Sequence, residues 1–564
     1  MTAAPATPPT ARGRARLAVA MDLGTSGFRA QVLDLSSGEV ISTAVTARHP
    51  LPGANVIDHL HFALELGVET AREIILQTVN QLIGLLHTGN GEVVRLAVCG
   101  NPTQLSLFQG SEIRDLAFAG PRKLKALGVE PPERAATVRP ASEFPGLALP
   151  SGCAVIVPPA VRHEVGADAL ALIVRSGITD REETAIAIDY GTNAEMALLH
   201  RGRLFTGSAA AGPALEGQHI VCGSLAMPGT IADLIAEGDL HRLIVLDAAM
   251  QPAPGALVDL RKPAESDGAA GVPATKITGT GTIAAMDQGM ERGLVVPPRI
   301  LTGDRRLHFG DGIFLTEADV AEAGKAIGAV RAGYFTLLNE AGANVEDVRT
   351  AYLAGASGTY MDAIKARRLG LVPPLVKTVR HIGNTSLALA RDLALEPEKL
   401  DALDALATKL RETHCLFAAT KTFSRVYVLE LSRWTEGMPM ATYRDLLRQY
   451  GLPELPPVSG TPVVVHEAER DIEDHGRMGL ATLQRVGLVV GLRLDGCTGC
   501  RACLDACPAG ALALEGIFEP PTLSLTQALC NGVACRRCEP ACPSGVFHLN
   551  AFFEATASRA APIA

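Results

Sequence analysis

Apolar residues along the chain gather in short runs, and one such pattern occurs twice. Leu17–Met21 is wholly apolar and runs into Asp22-Leu-Gly24-Thr25-Ser26, after which Phe28–Leu35 forms a second strand-like run and Ser37-Gly38 supplies a turn. Later, Thr-Ala-Ile-Ala-Ile leads into Asp189-Tyr-Gly191-Thr192-Asn193, then Ala194–Leu199, then a turn at Arg201-Gly202. Runs of this length bounded by glycine turns predict buried strands. The repetition predicts two related halves, each opening strand, Asp-x-Gly-Thr turn, strand, turn, strand. Between them, Ala71, Ile75, Val79, Leu82 and Leu86 recur at helical spacing, with Gly89 placed to cap the C-terminus. Strand-like Val93–Cys99 follows. A second helix is expected over 317–341, with Thr316 as N-cap, Asp319 in the capping-box place, and Val320, Ala323, Ile327, Val330, Tyr334 and Leu337 on one face before Gly342. Strands alternating with helices across 17–430 predict an α/β fold.

Glycine is needed in Asp-x-Gly-Thr where backbone must come close to phosphate oxygens, and the neighbouring hydroxyl adds a donor. An aspartate at each turn suits Mg2+, a hard cation that takes oxygen ligands, often through retained water. Two copies in matching context therefore predict a nucleotide site. Asp22 and Asp189 are expected to hold the metal, and Gly24, Thr25, Ser26, Gly191, Thr192 and Asn193 to cradle phosphates. The alternative is an ordinary tight turn after a strand. Tyr352-Leu-Ala-Gly355-Ala-Ser-Gly358-Thr-Tyr-Met-Asp362 sets a glycine turn between a strand and a helix, so Gly355 and Gly358 are expected to admit the ribose or adenine of ATP. Gly279-Thr-Gly281 opens another helix.

Eight of the twelve cysteines lie between Cys497 and Cys542. Cys497, Cys500, Cys503 and Cys507-Pro follow the C-x2-C-x2-C-x3-C-P spacing of bacterial two-cluster ferredoxins. Cys530, Cys535, Cys538 and Cys542-Pro differ only by two extra residues after the first cysteine. In that spacing the fourth cysteine of each run serves the other cluster. Cys497, Cys500, Cys503 and Cys542 are thus expected on one [4Fe-4S] cluster, and Cys530, Cys535, Cys538 and Cys507 on the other. Zinc is the alternative, but its ligands normally come as two pairs, not as a three-cysteine arc. Disulfides are disfavoured because no secretory signal is evident. Low-potential clusters point instead to a reducing cytoplasm. Cys99, Cys153, Cys222 and Cys415 stand singly among small or apolar residues and read as core.

At 564 residues the chain exceeds one hydrophobic core, and 47% hydrophobic content supplies ample material for several. A formal net charge of -9 and the lack of a Lys/Arg block with interleaved aromatics exclude a nucleic-acid surface. No stretch reaches the roughly 18 apolar residues of a membrane span. Arg12, Arg14 and Arg16 precede an apolar run too short for a signal peptide. The expected organisation is a disordered leader over 1–16, ATPase halves over 17–180 and 181–450, and a linker and connector over 451–490. A cluster domain over 491–552 and a tail over 553–564 complete it. Pro453, Pro456, Pro457 and Pro462 suggest a stiff spacer, and His466–Arg477 a solvated connector.

Together these segments resemble the superfamily of acetate and sugar kinases, heat-shock chaperone ATPases and actin. That resemblance implies two ribonuclease-H-like halves and a small α+β ferredoxin-like domain carrying two [4Fe-4S] clusters. Gly207-Ser-Ala-Ala-Ala-Gly212-Pro213-Ala-Leu-Glu216-Gly217, Val165-Gly-Ala-Asp168, Gly100-Asn101-Pro-Thr-Gln and Ile382-Gly383-Asn384-Thr385-Ser386 narrow it. They are similar to the reductive activators of corrinoid proteins, and an ATPase followed by a two-cluster tail resembles the branch serving methylamine methyltransferases. The resemblance implies ATP-dependent return of inactive Co(II) to Co(I), with a corrinoid protein and a low-potential electron donor as partners. Competing expectations are an electron donor to a radical dehydratase, a small-molecule kinase, and a nucleotide-binding electron carrier or scaffold without turnover. Arg536 and Arg537, between cluster cysteines, are candidates for steering an acidic partner.

Overall fold

The computed structural model describes residues 14–118, 121–263, 271–515, 521–533 and 535–560. The leader expected over 1–16 falls mostly outside them, but Arg16 already belongs to the first strand, Arg16–Leu23.

In the first half, Arg16–Leu23 pairs antiparallel with Phe28–Asp34, which pairs antiparallel with Val40–Thr46. On its other side Arg16–Leu23 runs parallel to Glu92–Gly100, and that strand parallel to Ala154–Val157. The second half repeats this connectivity. Ala185–Tyr190, Asn193–His200 and Arg203–Ala210 form the antiparallel meander, and Thr350–Ala354 and Thr378–His381 add in parallel. The central strand of each sheet is apolar because both of its faces are covered. Leu17–Met21 and Ala185–Ile188 are at most 1% exposed.

Sequence position alone misplaces the proline-rich and charged segment after residue 450. Val463–His466 extends the second sheet beside Thr378–His381, and Leu480–Leu483 extends the first beside Val40–Thr46. The chain therefore bridges the outer edges of the two sheets, and the 451–490 segment is built into both halves. Ala468 and Ile472 are buried, so His466–Arg477 is not a solvated connector.

The helix expected over 317–341 forms as Glu317–Ala341 with the full Thr316/Asp319 capping box and Gly342 in the left-handed conformation. It packs on Lys421–Glu436, whose Trp434 and Glu430 sit against Gly324 and Gly328. A β-carbon at either glycine would meet them at 2.5 Å, so only glycine permits the close crossing. The earlier helix spans Val68–Leu85 and ends on an extended Leu86. Gly89 is thus not its cap but lies in the following turn, at φ +55°.

The C-terminal domain is a three-stranded antiparallel sheet of Val489–Arg493, Thr522–Thr526 and Leu512–Glu515, with a closing helix Leu549–Ala560. That helix continues through the first eight residues of the expected tail. Its Phe553 meets Phe62 edge-on at 5.5 Å, and its apolar residues share one continuous core with the first half.

Candidate functional site

Asp22 and Asp189 occupy equivalent places, near the ends of the central strands, in parallel register with Cys99 and Ala354. Both strands end at one cleft lined by Gly24, Thr25, Gly191, Thr192, Asn193 and Gly355 as well as the two aspartates. Gly355 has φ +78°, and a β-carbon there would stand 2.3 Å from Asp189 Oδ1. At Gly24 it would meet the Gly27 carbonyl at 2.8 Å. Both turns are closed to any side chain.

Five carboxyl groups line the cleft: Asp22, Asp168, Asp189, Glu195 and Glu216. Burial raises Asp22, partly offset by Arg29 Nη1 at 3.5 Å and by Asn384 Nδ2, which donates at 3.0 Å. Asp168, at the start of the helix Ala167–Ser176, is raised by burial to about 6. Asp189 reaches about 8 through burial and then through repulsion from Asp168 and Asp22. Glu195 lies well above its usual range for the same reasons. A divalent cation would relieve this repulsion.

The fifth of these carboxyl groups joins the two Asp-x-Gly-Thr loops. Glu216 Oε2 accepts from Ser26 Oγ at 2.5 Å, from the Thr192 backbone N–H at 3.0 Å and from the Thr192 hydroxyl. These donors belong to the residues expected to cradle phosphate. Asn101 Nδ2 in turn donates to Thr25 Oγ1 at 2.9 Å. Arg29, Glu216 and Ala356 also line a neighbouring pocket, which Ser26, Met227, Met250, Ser357 and Tyr360 line further. Gly358 does not reach either space: it lies inside the short helix Gly355–Tyr360, where its carbonyl accepts from His381 Nδ1 at 2.7 Å. The expectation that it contacts adenosine is therefore corrected.

Asp168, Glu216, Asn101 and Asn384 lay in segments that carried the family resemblance, without roles. Arg29, Glu195 and Asp471 were missed. A charged residue set among the apolar positions of each hairpin strand was the available signal for Arg29 and Glu195. Asp471 had none, since its importance comes from the chain doubling back to place Oδ2 2.7 Å from Arg29 Nε.

In the C-terminal domain, Cys497, Cys500, Cys503 and Cys542 surround one cavity, and Cys507, Cys530, Cys535 and Cys538 surround a second. Each fourth cysteine thus crosses to the other run's cavity. Among the described residues no three Cys, His, Asp or Glu side chains converge closely enough to hold a single ion. Four thiols around each cavity match the ligand number of a [4Fe-4S] cluster. The two extra residues after Cys530 form a turn at Gly532, φ +76°, without displacing Cys530 from its cavity. Cys500 is exposed, whereas Cys530 and Cys538 are buried against the ATPase body. The Ala511 N–H donates to Cys507 Sγ at 3.3 Å. Arg536 is spent internally, on the Val533 carbonyl and Asn550, and faces Glu65 at 3.8 Å, leaving Arg537 as the exposed member of the pair. Cys99 and Cys153 are buried as expected, whereas Cys222 and Cys415 are only partly so.

Three family models match the chain. The RACo middle region matches residues 17–181, the C-terminal ASKHA domain of RACo matches 183–444, and a 4Fe-4S dicluster domain matches 496–546. The [Co(II) methylated amine-specific corrinoid protein] reductase of Methanosarcina barkeri is 47% identical over 497 residues, covering 88% of this chain and 92% of that protein. The corrinoid activation enzyme RamQ of Eubacterium limosum is 24% identical, covering 73% and 69%. A solved structure of a reductive activator for corrinoid, iron-sulfur protein superposes with a TM-score of 0.60 at 24% identity, over 75% of this chain and 66% of that one. At that identity the superposition speaks for the fold alone.

Proposed function

The chain belongs to the family of reductive activators of corrinoid proteins, and from that premise we propose that it uses ATP to return a corrinoid protein from Co(II) to Co(I). The observation that carries this reading is the joining of two four-cysteine cavities, through one continuous core, to a cleft where two phosphate loops and five carboxyl groups meet.

Asp22 and Asp189 face the nucleotide phosphates and hold Mg2+, mainly through its water, with Asn384 and Arg29 orienting Asp22. Gly24, Thr25, Ser26, Gly191, Thr192 and Asn193 take the phosphate oxygens through backbone and hydroxyl donors. Gly355 and Ala356 form the turn over which the ribose passes into the adjoining chamber. Eight cysteines hold two [4Fe-4S] clusters. When bound, such clusters supply one-electron transfer at low potential, about -400 mV for ferredoxin types. The thiolates and the surrounding backbone fix the clusters beside the ATPase body, with Cys500 toward solvent. The partner is a corrinoid protein of a methylamine-type system, and a low-potential donor feeds the clusters.

Reduction of Co(II) is uphill for an ordinary donor, and each 100 mV of deficit costs about 2.3 kcal/mol per electron. A cleft that binds nucleotide in one arrangement of its halves better than in another supplies energy of this order. The test is anaerobic reduction of a Co(II) corrinoid partner, followed by its Co(I) absorbance, with and without Mg-ATP. Co(I) formation that requires ATP supports the reading. Equal reduction without ATP, or ATP turnover with no Co(I), refutes it. Among the described residues no helix is long and apolar enough to cross a membrane.

A further inference from the structure

Both phosphate loops are connected to the second cluster cavity through a single short segment, His49–Asp58. The Gly53 N–H donates to the Cys530 carbonyl at 2.8 Å. The next residue, Ala54, has its carbonyl oxygen 3.5 Å from Thr192 Oγ1 of the second phosphate loop, whose single hydroxyl proton goes to Glu216. One peptide unit therefore separates a cluster-ligand residue from a phosphate-loop residue. We propose that Gly53–Ala54, latched by Asp58, is the positioning element through which nucleotide at the phosphate loops acts on the second cluster. This rests on the reading of the chain as an ATPase joined to iron–sulfur clusters.

The segment is held so that it moves as a unit. Asp58 Oδ2 accepts from the Ala54 N–H at 2.9 Å, and Asn55 caps the following helix by accepting from the Asp58 N–H at 3.0 Å. Gly53 sits at φ +104°, and a β-carbon there would lie 2.1 Å from Asp58 Cβ, so the peptide is pressed against its latch.

The first phosphate loop reaches the same segment by a second route. Asn101 bonds Thr25 Oγ1 with its amide nitrogen and accepts from the Gln104 N–H at 3.0 Å. Gln104, fully buried, bridges His49 and His59 at 2.9 and 2.8 Å. The Leu51 N–H donates to His49 Nδ1 at 3.1 Å, which assigns the proton of that ring to Nε2 and the donor role toward Gln104 Oε1. Side-chain amides and ring nitrogens with a fixed donor sequence transmit orientation, because turning one member breaks its neighbour's bond.

A phosphate oxygen arriving at Thr192 competes for the hydroxyl that now serves Glu216 and approaches the Ala54 carbonyl. The resulting shift of Ala54 is carried by the adjoining Gly53 N–H to the Cys530 carbonyl. The orientation of backbone groups and solvent access around a cluster tune its potential. The first cluster, with exposed Cys500, has no such link among the bonds described.

The experiment uses the full chain with both clusters assembled. Potentiometric titrations followed by electron paramagnetic resonance are run with and without a non-hydrolysable ATP analogue and Mg2+, and the wave missing from C530A identifies the second cluster. In the unaltered protein the analogue should shift that wave and leave the other in place. D58A should retain its iron and basal ATP hydrolysis yet lose the shift, whereas D58N, which keeps an acceptor oxygen, should restore it. A full shift in D58A overturns the proposal. If D58A does not hold iron, hydrogen–deuterium exchange on the unaltered protein decides. The analogue should change exchange of the Gly53 amide several-fold, and no change there overturns the relay. Unaltered protein that hydrolyses ATP but shows no shift refutes the relay alone. Protein that neither binds nor hydrolyses ATP refutes the reading beneath it.

Discussion

Asp189 offers a quantitative test of the metal site. Its carboxyl is raised to about 8 by burial and by the neighbouring carboxylates, so near neutral pH the cleft without metal holds it mostly protonated. Mg2+ bound beside it requires the carboxylate, so binding must release that proton. With a value near 8, the ionised fraction is about one in a hundred at pH 6 and about one half at pH 8. Apparent Mg2+ affinity should therefore rise about fiftyfold across that interval, and calorimetry in two buffers at pH 7 should count about nine-tenths of a proton released. Replacing Asp189 with asparagine should flatten the profile and abolish turnover. The difference between the two proteins cancels the titration of the nucleotide's own phosphate. The sign for stability is the reverse. Because the native state keeps a proton that the unfolded chain has already lost, metal-free protein should lose stability as pH rises from about 4 to about 8. The asparagine variant should lose less. Equal pH profiles for the two proteins, or no proton release, would refute the placement of Asp189 at the metal.

Gly355→Ala forces a side chain at φ +78° into the Asp189 carboxylate, and fluorescent-nucleotide titration should show affinity weakened at least about tenfold with iron content unchanged. Cys530→Ala should lower iron from about eight to about four atoms per chain, with the loss confined to the buried cluster. Asp471→Ala removes the partner of Arg29 Nε and leaves the guanidinium to Asp22, so kcat/KM for ATP should fall several-fold without loss of iron.

The duplicated half was legible because its strands are short apolar runs and its turns need glycine at fixed places. Asp22 and Asp189 stand where the repeat placed them, and the helix Glu317–Ala341 begins and ends on its own capping residues. The cysteine cavities were legible because the first three cysteines of each run lie three to five residues apart and stay together, and the ferredoxin spacing sends the fourth to the other cavity. Gly358 misled because a glycine that is needed for helix packing looks the same, in one dimension, as a glycine that faces a ligand. Gly89 misled because a capping glycine and a turn glycine share the same positive φ. The segment after residue 450 misled most. Prolines and mixed charge signal a linker locally, but the strands Val463–His466 and Leu480–Leu483 are too short to show themselves without the sheet edges they complete.

By itself the sequence determined which residue types could meet phosphate, metal and iron, because that chemistry is written in local spacing: Asp-x-Gly-Thr twice, and cysteines in two runs. Only the tertiary structure decided that Arg29 is shared between Asp22 and Asp471, that Glu216 holds both phosphate loops, and that Gly53 touches the Cys530 loop. Arg29–Asp22 is a hairpin pair and Thr192–Glu216 lies within the second half, but Arg29–Asp471, Ser26–Glu216 and Gly53–Cys530 each join residues far apart in the chain and depend on how the two sheets and the cluster domain close upon one another. Periodicity reports which face of an element is buried; it carries no record of what that face is buried against.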